Sequence, residues 1–374
     1  MSHLRVLMDY HHHDLWESME LLAQRLGWDL YRPIGMDWYE QGYWNHERKW
    51  HGDAIARQYL TPWGSDYHLH GFDAEGKRTE RAGRFTRYDR SHQRFQNLVT
   101  LEAARSEHWD IVLSSLAHNH EGFARFASEV GATFGLQIGN VRFSETDMAE
   151  DRWDLAAFGL VSGLMPVTPP KPHVVYHQEF SVHDSIIADR PGFTYVPPPR
   201  GERFRISSFV QCYPETEWAY AWMTDSAAAS RELDWRVYGA YGQAPADEYA
   251  AGNIDECHEV ARAMRASDVA WHAKRWSDGY GHVIHNWFAV GRPVFGFEAY
   301  YRDQLAGALW VDGVTSINIE SRNRDEIVRL LRHLRDDEDA HLRMCEAAAA
   351  RFREIVNFDA EAEQIRAMLS AVLP

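Results

Sequence analysis

Cysteine is nearly absent: Cys212, Cys257 and Cys345 are the only three in 374 residues, far apart and odd in number. That excludes a disulfide framework and a cysteine metal site as organising features. Long apolar runs are missing too, and nothing approaches the ~18 uncharged apolar residues that a membrane span needs. The opening stretch, MSHLRVLMDYHHHD, turns polar after a short apolar run and lacks the hydrophobic region of a secretion signal. The expected location is the cytoplasm. Positive charge is scarce, with 39 Lys and Arg against 55 Asp and Glu and a net charge of −16. Indiscriminate coating of nucleic acid is thereby excluded, because phosphate contact is carried by Lys and Arg.

What the chain does have is material for two cores. Its length exceeds one ordinary domain of roughly 150 to 200 residues, and 45% of it is hydrophobic. Leu4 to Met8 is a short apolar strand, and Leu15 to Leu26 has helical apolar spacing. Asp110 to Leu113 is a buried-strand run, Ala117 to Glu121 a polar loop, Phe123 to Val130 a helix and Ala132 to Ile138 the next strand. Val174 to Tyr176 adds one more strand. After the stiff, charged PPPRGER at 197–203, which reads as a linker, the rhythm restarts. Strands are expected at Arg205 to Val210, Trp235 to Tyr238, Asp268 to Trp271, Arg292 to Phe297 and Thr315 to Ile319, with helices at Glu256 to Arg265 and 281–290. Asn323 caps a further helix with Glu326 three residues on, and Ile327, Leu330, Leu331 and Leu334 share one face. Strands alternating with helices imply α/β units with parallel sheets covered on both faces.

The stretch WSDGYGHVIHNWFAVGRPVFGF, 276–297, concentrates the chemistry. Gly279 and Gly281 permit close backbone approach at a helix N-terminus, where unpaired N–H groups and the helix dipole favour an anion such as a diphosphate. Lys274 and Arg275, on the same loop, add fixed positive charge.

These residues resemble the donor-binding signature of retaining glycosyltransferases of the GT-B fold. The resemblance lies in Ser277-Asp278-Gly279-Tyr280-Gly281, in Asn286, in Ala289-Val290-Gly291-Arg292-Pro293-Val294 and in Leu309 to Ser316, and it runs on through the helices to Asn357-Phe358-Asp359. It implies two Rossmann-like α/β/α domains facing each other across a cleft: an N-terminal acceptor-binding domain (1–200), a C-terminal donor-binding domain (201–355), and a C-terminal helix (356–374) that packs back on the N-terminal domain. It further implies a nucleotide-sugar donor, with UDP or GDP as carrier, no tightly bound cofactor and no metal. Carried over by position, Asp278 faces the donor sugar, Gly279, Tyr280, Gly281 and His282 hold sugar or diphosphate, and Asn286 grips the ribose. Where the family has glutamates, this chain has Asp278 and the uncharged Asn286. The family's Arg and Lys near the phosphates have no counterpart in SSFVQCYPETE at 207–217. Lys274 and Arg275 are expected to replace them.

The N-terminal half resembles the family only in rhythm, and His118 stands at the strand end where the family points a histidine at the donor sugar. Loops after strand ends nominate His11, His12, His13 and Asp14 after the first strand and Asn119 and His120, with His118, after the third, and Glu179 is a further acceptor-side residue. A metal on HHHD is not expected, since adjacent histidines on an extended chain point in opposite directions. KRTERAGRFTRYDRSHQR at 77–94 has seven basic residues against two acidic ones, with interleaved aromatics. Arg84, Arg87 and Arg90 in it suit an anionic, base-bearing acceptor. A hydroxylated base in DNA is therefore one acceptor class, beside a glycan, a lipid carrier and a small molecule. Two other functions keep the same residues: a nucleotide-sugar epimerase, and a non-catalytic protein that binds sugar nucleotides or nucleic acid.

Overall fold

The computed structural model describes residues 3–9, 13–34, 66–72, 78–84, 97–139, 145–163, 168–179, 193–199, 201, 203–209, 217–239, 248–252, 254, 257–274 and 280–374. The chain forms two compact units, Met1–Val182 together with Phe358–Pro374, and His183–Asn357.

The first unit contains β1 (Leu4–Met8), β2 (Trp28–Ile34), β3 (Asp66–Phe72), β4 (Arg78–Arg84), β5 (Asn97–Thr100), β6 (Ile111–Ser114), β7 (Thr133–Ile138), β8 (Phe158–Val161) and β9 (His173–Val175). Seven of these make one parallel sheet in the order β5-β2-β1-β6-β7-β8-β9, and β3 and β4 pair as an antiparallel hairpin. Val6, Leu7 and Met8 of β1 and Ile111, Val112 and Leu113 of β6 are all fully buried. Uninterrupted apolar strands of this kind are what a parallel sheet covered on both faces requires. From β1 the chain winds outward through β2 to β5, then returns beside β1 and winds the other way. The β1/β6 boundary is therefore the topological switch point, where open α/β sheets place ligands beyond the strand C-termini.

The helix expected from Phe123 starts earlier, at His120, and runs to Val130 behind a 3-10 turn at Ala117–Asn119. It buries Phe123, Phe126 and Ala127, and Gly131 ends it at φ 73°, a left-handed conformation that glycine adopts without a Cβ penalty. The last helix, Phe358–Val372, belongs to this unit and buries Ala362, Ile365 and Leu369 in its core.

The second unit carries β10 (Arg205–Phe209), β11 (Asp234–Tyr238), β12 (Ala250–Gly252), β13 (Val269–His272), β14 (Val294–Gly296) and β15 (Ser316–Asn318). They form a second all-parallel sheet, β12-β11-β10-β13-β14-β15, with its switch point between β10 and β13. Ile206, Val269, Trp271, Phe295 and Ile317 build its core. The capping box foreseen at Asn323 and Glu326 is present, with both reciprocal hydrogen bonds made, at the head of the helix Arg324–Asp336. Among the described residues no helix is long and apolar enough to cross a membrane.

Candidate functional site

In the second unit the candidate site begins where β13 ends. His272 closes the strand with its Nε2 2.8 Å from the hydroxyl of Tyr301, and Tyr301 stacks on Trp310 at 5.5 Å and 13°. Ala273 and the half-buried Lys274 follow. Arg275, Asp278 and Gly279 lie outside the described residues. The chain is described again at Tyr280, and Gly281 then serves as N-cap of the helix His282–Ala289 at φ 82°, ψ 47°. Having no side chain, Gly281 makes no side-chain cap hydrogen bond, and its left-handed backbone is one that glycine adopts without a Cβ penalty.

Two aromatic contacts fix this turn. The Tyr280 and His285 rings stack at 4.1 Å and 10°, while Tyr280 meets His282 edge-on at 4.9 Å. His285 Nδ1 lies 2.9 Å from the Gly281 carbonyl oxygen, so one histidine, 3% exposed, holds both residues of the turn. Asn286 follows on the same helix and is buried. Tyr280, Gly281 and His282 thus come together at the N-terminus of one short helix, and Asn286 lies one turn further along it.

The far end of that helix is equally determined. Gly291 adopts φ 68°, and a Cβ there would lie 2.4 Å from the Tyr195 ring and 2.8 Å from the Cys345 carbonyl oxygen. Arg292, fully buried, donates from Nε to Ser267 O at 2.6 Å, from Nη1 to Val290 O at 2.8 Å and Val196 O at 3.0 Å, and from Nη2 to Arg265 O at 2.6 Å. Burial lowers its pKa.

In the first unit, His118 sits on the 3-10 turn just beyond β6, where partial desolvation of its ring lowers its pKa. The sequence reading missed the group behind it. Asp9, directly after β1, is fully buried and accepts hydrogen bonds from Ser114 Oγ (3.0 Å), Ser115 N (2.6 Å), Ser115 Oγ (2.7 Å), Leu116 N (3.2 Å) and Asn119 Nδ2 (3.2 Å). Burial raises its pKa, against the lowering effect of the bonds from Ser115, Asn119 and Leu116. An acidic residue at the end of an apolar strand was the available signal.

Of the remaining nominated residues, the structure describes the surroundings of Glu179 alone. Glu179 is tied to Arg25 by two hydrogen bonds, 3.0 and 3.1 Å, beside a small cavity lined by Leu22, His177 and Phe358 among others. His11 and His12 lie outside the described residues. So do the side chains of His13 and Asp14, which open the helix His13–Leu26. Arg84 ends β4 with its side chain undescribed, and Arg87 and Arg90 are outside the described residues. Among the described residues no group of three or more His, Cys, Asp or Glu comes together as a metal set.

No protein-family model and no curated protein matches the chain. Solved structures do. The chain is similar to Anabaena HepE in complex with UDP-glucose, with TM-score 0.61 and 11% identity over 99% of this chain and 100% of that one. It is also similar to sucrose-phosphate synthase from Thermosynechococcus elongatus, with TM-score 0.55 and 11% identity over 98% of each chain. A putative UDP-N-acetylglucosamine 2-epimerase from Listeria monocytogenes matches with TM-score 0.51 and 10% identity, over 99% of this chain and 97% of that one. At such identities the likeness establishes the fold, and the fold is the GT-B architecture that the motifs between Ser277 and Asp359 resemble.

Proposed function

We propose that this chain is a glycosyltransferase that moves a sugar from a nucleotide-sugar donor to an acceptor hydroxyl. The observation that carries the reading is the helix His282–Ala289 that opens at the left-handed Gly281 and is the next described element after β13, a strand at the switch point of the second sheet. The fold supports it, since HepE, similar over nearly the whole chain, was solved with UDP-glucose bound.

In this reading the second unit holds the donor. The amides from Gly279 to His282 face the diphosphate or sugar, Asn286 bonds ribose hydroxyls through its amide, and Asp278 receives the sugar's hydroxyls. As the anomeric C–O bond breaks, negative charge builds on the phosphate oxygens, and the helix N-terminus with Lys274 and Arg275 stabilises it. The acceptor hydroxyl forms the new bond on the face the diphosphate leaves, and its proton passes to the leaving phosphate. The configuration is then retained, and the reading assigns no carboxylate nucleophile and no metal to the step. His118 is the first unit's contribution to the sugar-transfer step, and the acceptor is a hydroxyl-bearing molecule chosen by that unit.

The test is incubation with UDP- and GDP-sugars and a panel of hydroxyl acceptors that includes hydroxymethylated DNA, read by mass spectrometry. A glycosylated acceptor and free nucleoside diphosphate are expected. Epimerised sugar still on its nucleotide, or thermal stabilisation by UDP without turnover, would overturn the reading in favour of an epimerase or a binding protein.

A further inference from the structure

The proposed function gives His118 a role but not the means by which its turn is held. The turn Ser114 to Asn119 is held from a distance. Leu116 and Asn119, which precede the 3-10 turn and the helix His120–Val130, provide no side-chain cap of their own. The carboxylate of Asp9, more than a hundred residues earlier in the chain, anchors the segment instead: one oxygen accepts Ser115 N and Oγ, the other Ser114 Oγ, Leu116 N and Asn119 Nδ2. Asn119 is fully buried and gives its Nδ2 to Asp9, while its Oδ1 has no hydrogen-bond partner among the described residues. A buried amide oriented at the expense of its own oxygen indicates that Asp9 dictates the turn. The position is the switch point between β1 and β6, where the sheet topology places ligand chemistry.

We infer that Asp9 is a positioning residue for the transfer reaction, fixing the Ser114–Asn119 turn and thereby the place of the His118 imidazole. This inference rests on the proposed function for its catalytic consequence. Asp9 acts through the backbone it holds. Asp9→Asn keeps the volume but turns an NH2 group toward the Leu116 N–H or the Ser115 N–H, so the turn must shift. A displacement of about 1 Å at a reacting group costs on the order of 100-fold in rate.

The test compares wild type, Asp9→Asn, Ser115→Ala, His118→Ala and the Asp9→Asn/His118→Ala double variant, with folding checked by circular dichroism and UDP affinity by calorimetry. Asp9→Asn is expected to lower kcat about 10- to 100-fold at unchanged donor KM and unchanged UDP affinity. The double variant should be no slower than His118→Ala. Ser115→Ala, which leaves the Ser115 N–H bond in place, should show a smaller loss of the same kind, and it carries the test if Asp9→Asn does not fold. Wild-type kcat in the folded Asp9 variant, wild-type kcat in His118→Ala, or additive losses in the double variant would overturn the inference. If wild type itself turns over no donor, the proposed function has failed, and histidine-selective NMR decides the positioning separately. The His118 ring resonances and titration must then change in Asp9→Asn while those of His177 do not, and an unchanged His118 overturns the inference.

Discussion

Arg292 shows how one residue can close several elements at once. Its guanidinium meets the carbonyls of Arg265, the last residue of one helix, and Val290, just past the end of another. A cation is favoured at helix C-termini, and a planar fork of five donors can serve carbonyls in several directions where an ammonium cannot. Replacing it by alanine leaves the Ser267, Arg265 and Val196 oxygens without that donor. Arg292→Ala is expected to destabilise the second unit by roughly 3 to 5 kcal/mol, since each buried group left unsatisfied costs about 1 to 3, measured as a shift in the denaturant midpoint. Nearby Asp268 gives a pH dependence. Burial lifts its pKa from 3.8 to about 6, opposed by the Arg205 N–H bond. The folded chain therefore holds this proton more tightly than the unfolded chain between pH 4 and 6. The stabilisation is complete below the unfolded value and is lost as pH rises through the folded one. Its full size is about 3 kcal/mol at about 1.4 per pKa unit. Asp268→Asn keeps an acceptor for Arg205 and should flatten the stability profile over that window; an unchanged slope in denaturation curves at pH 4, 5 and 6 would contradict the assignment.

At the scale of elements, glycines mark where the fold tolerates no side chain. Gly159 in β8 faces Trp153, and a Cβ there would lie 2.4 Å from the indole ring. Gly159→Ala should cost about 1 to 3 kcal/mol as an overpacking change, and Trp153→Leu in the same chain should recover part of it in thermal denaturation. The same strand shows what sequence periodicity can and cannot reveal. β1, β6, β7, β13 and the helix at Arg324 were legible because their apolar runs or caps are local. β8 was not, because FGLV is four residues long and its glycine makes sense only against Trp153. β2 carries Asp29, Arg32 and Pro33 in WDLYRPI and is paired on both sides by β1 and β5, so neighbours rather than propensity make it a strand. In the second unit's site, Tyr280, Gly281 and the GRP stop were readable from motif order. Asp9 stood out only as an acidic residue at a strand end; its partners are more than a hundred residues away, and only the β1/β6 pairing brings them together. The carbonyl cage of Arg292 was hidden for the same reason.

For the whole molecule, the telling feature is that sequence neighbours part company at Asn357. The helix Phe358–Val372 belongs to the first unit, whereas Glu338–Ile355, just before it, belongs to the second. Three kinds of contact hold the last helix in the first unit. Ala362, Ile365 and Leu369 enter the core. His177 meets Glu361 twice, through its backbone N–H and through Nδ1, both at 2.7 Å. Arg25 pairs with Asp359 as well as with Glu179. The ion pairs at the exposed Asp359 contribute little, so apolar burial dominates, at about 1.5 to 3 kcal/mol for each of the two large side chains. That is comparable with the lower end of the roughly 5 to 15 kcal/mol by which a domain is stable. Removing residues 358–374 is therefore expected to loosen the first unit while the second, with its own core, keeps its structure. Hydrogen exchange read by mass spectrometry should show protection lost in β1 and β6 to β9 and kept in β10, β13 and β14. Ile365→Ala should produce a weaker form of the same pattern, about 2 to 4 kcal/mol. Loss of protection spread equally over both units would mean that the helix supports a single cooperative structure, and unchanged protection in the first unit would mean that its buried face contributes nothing to that core.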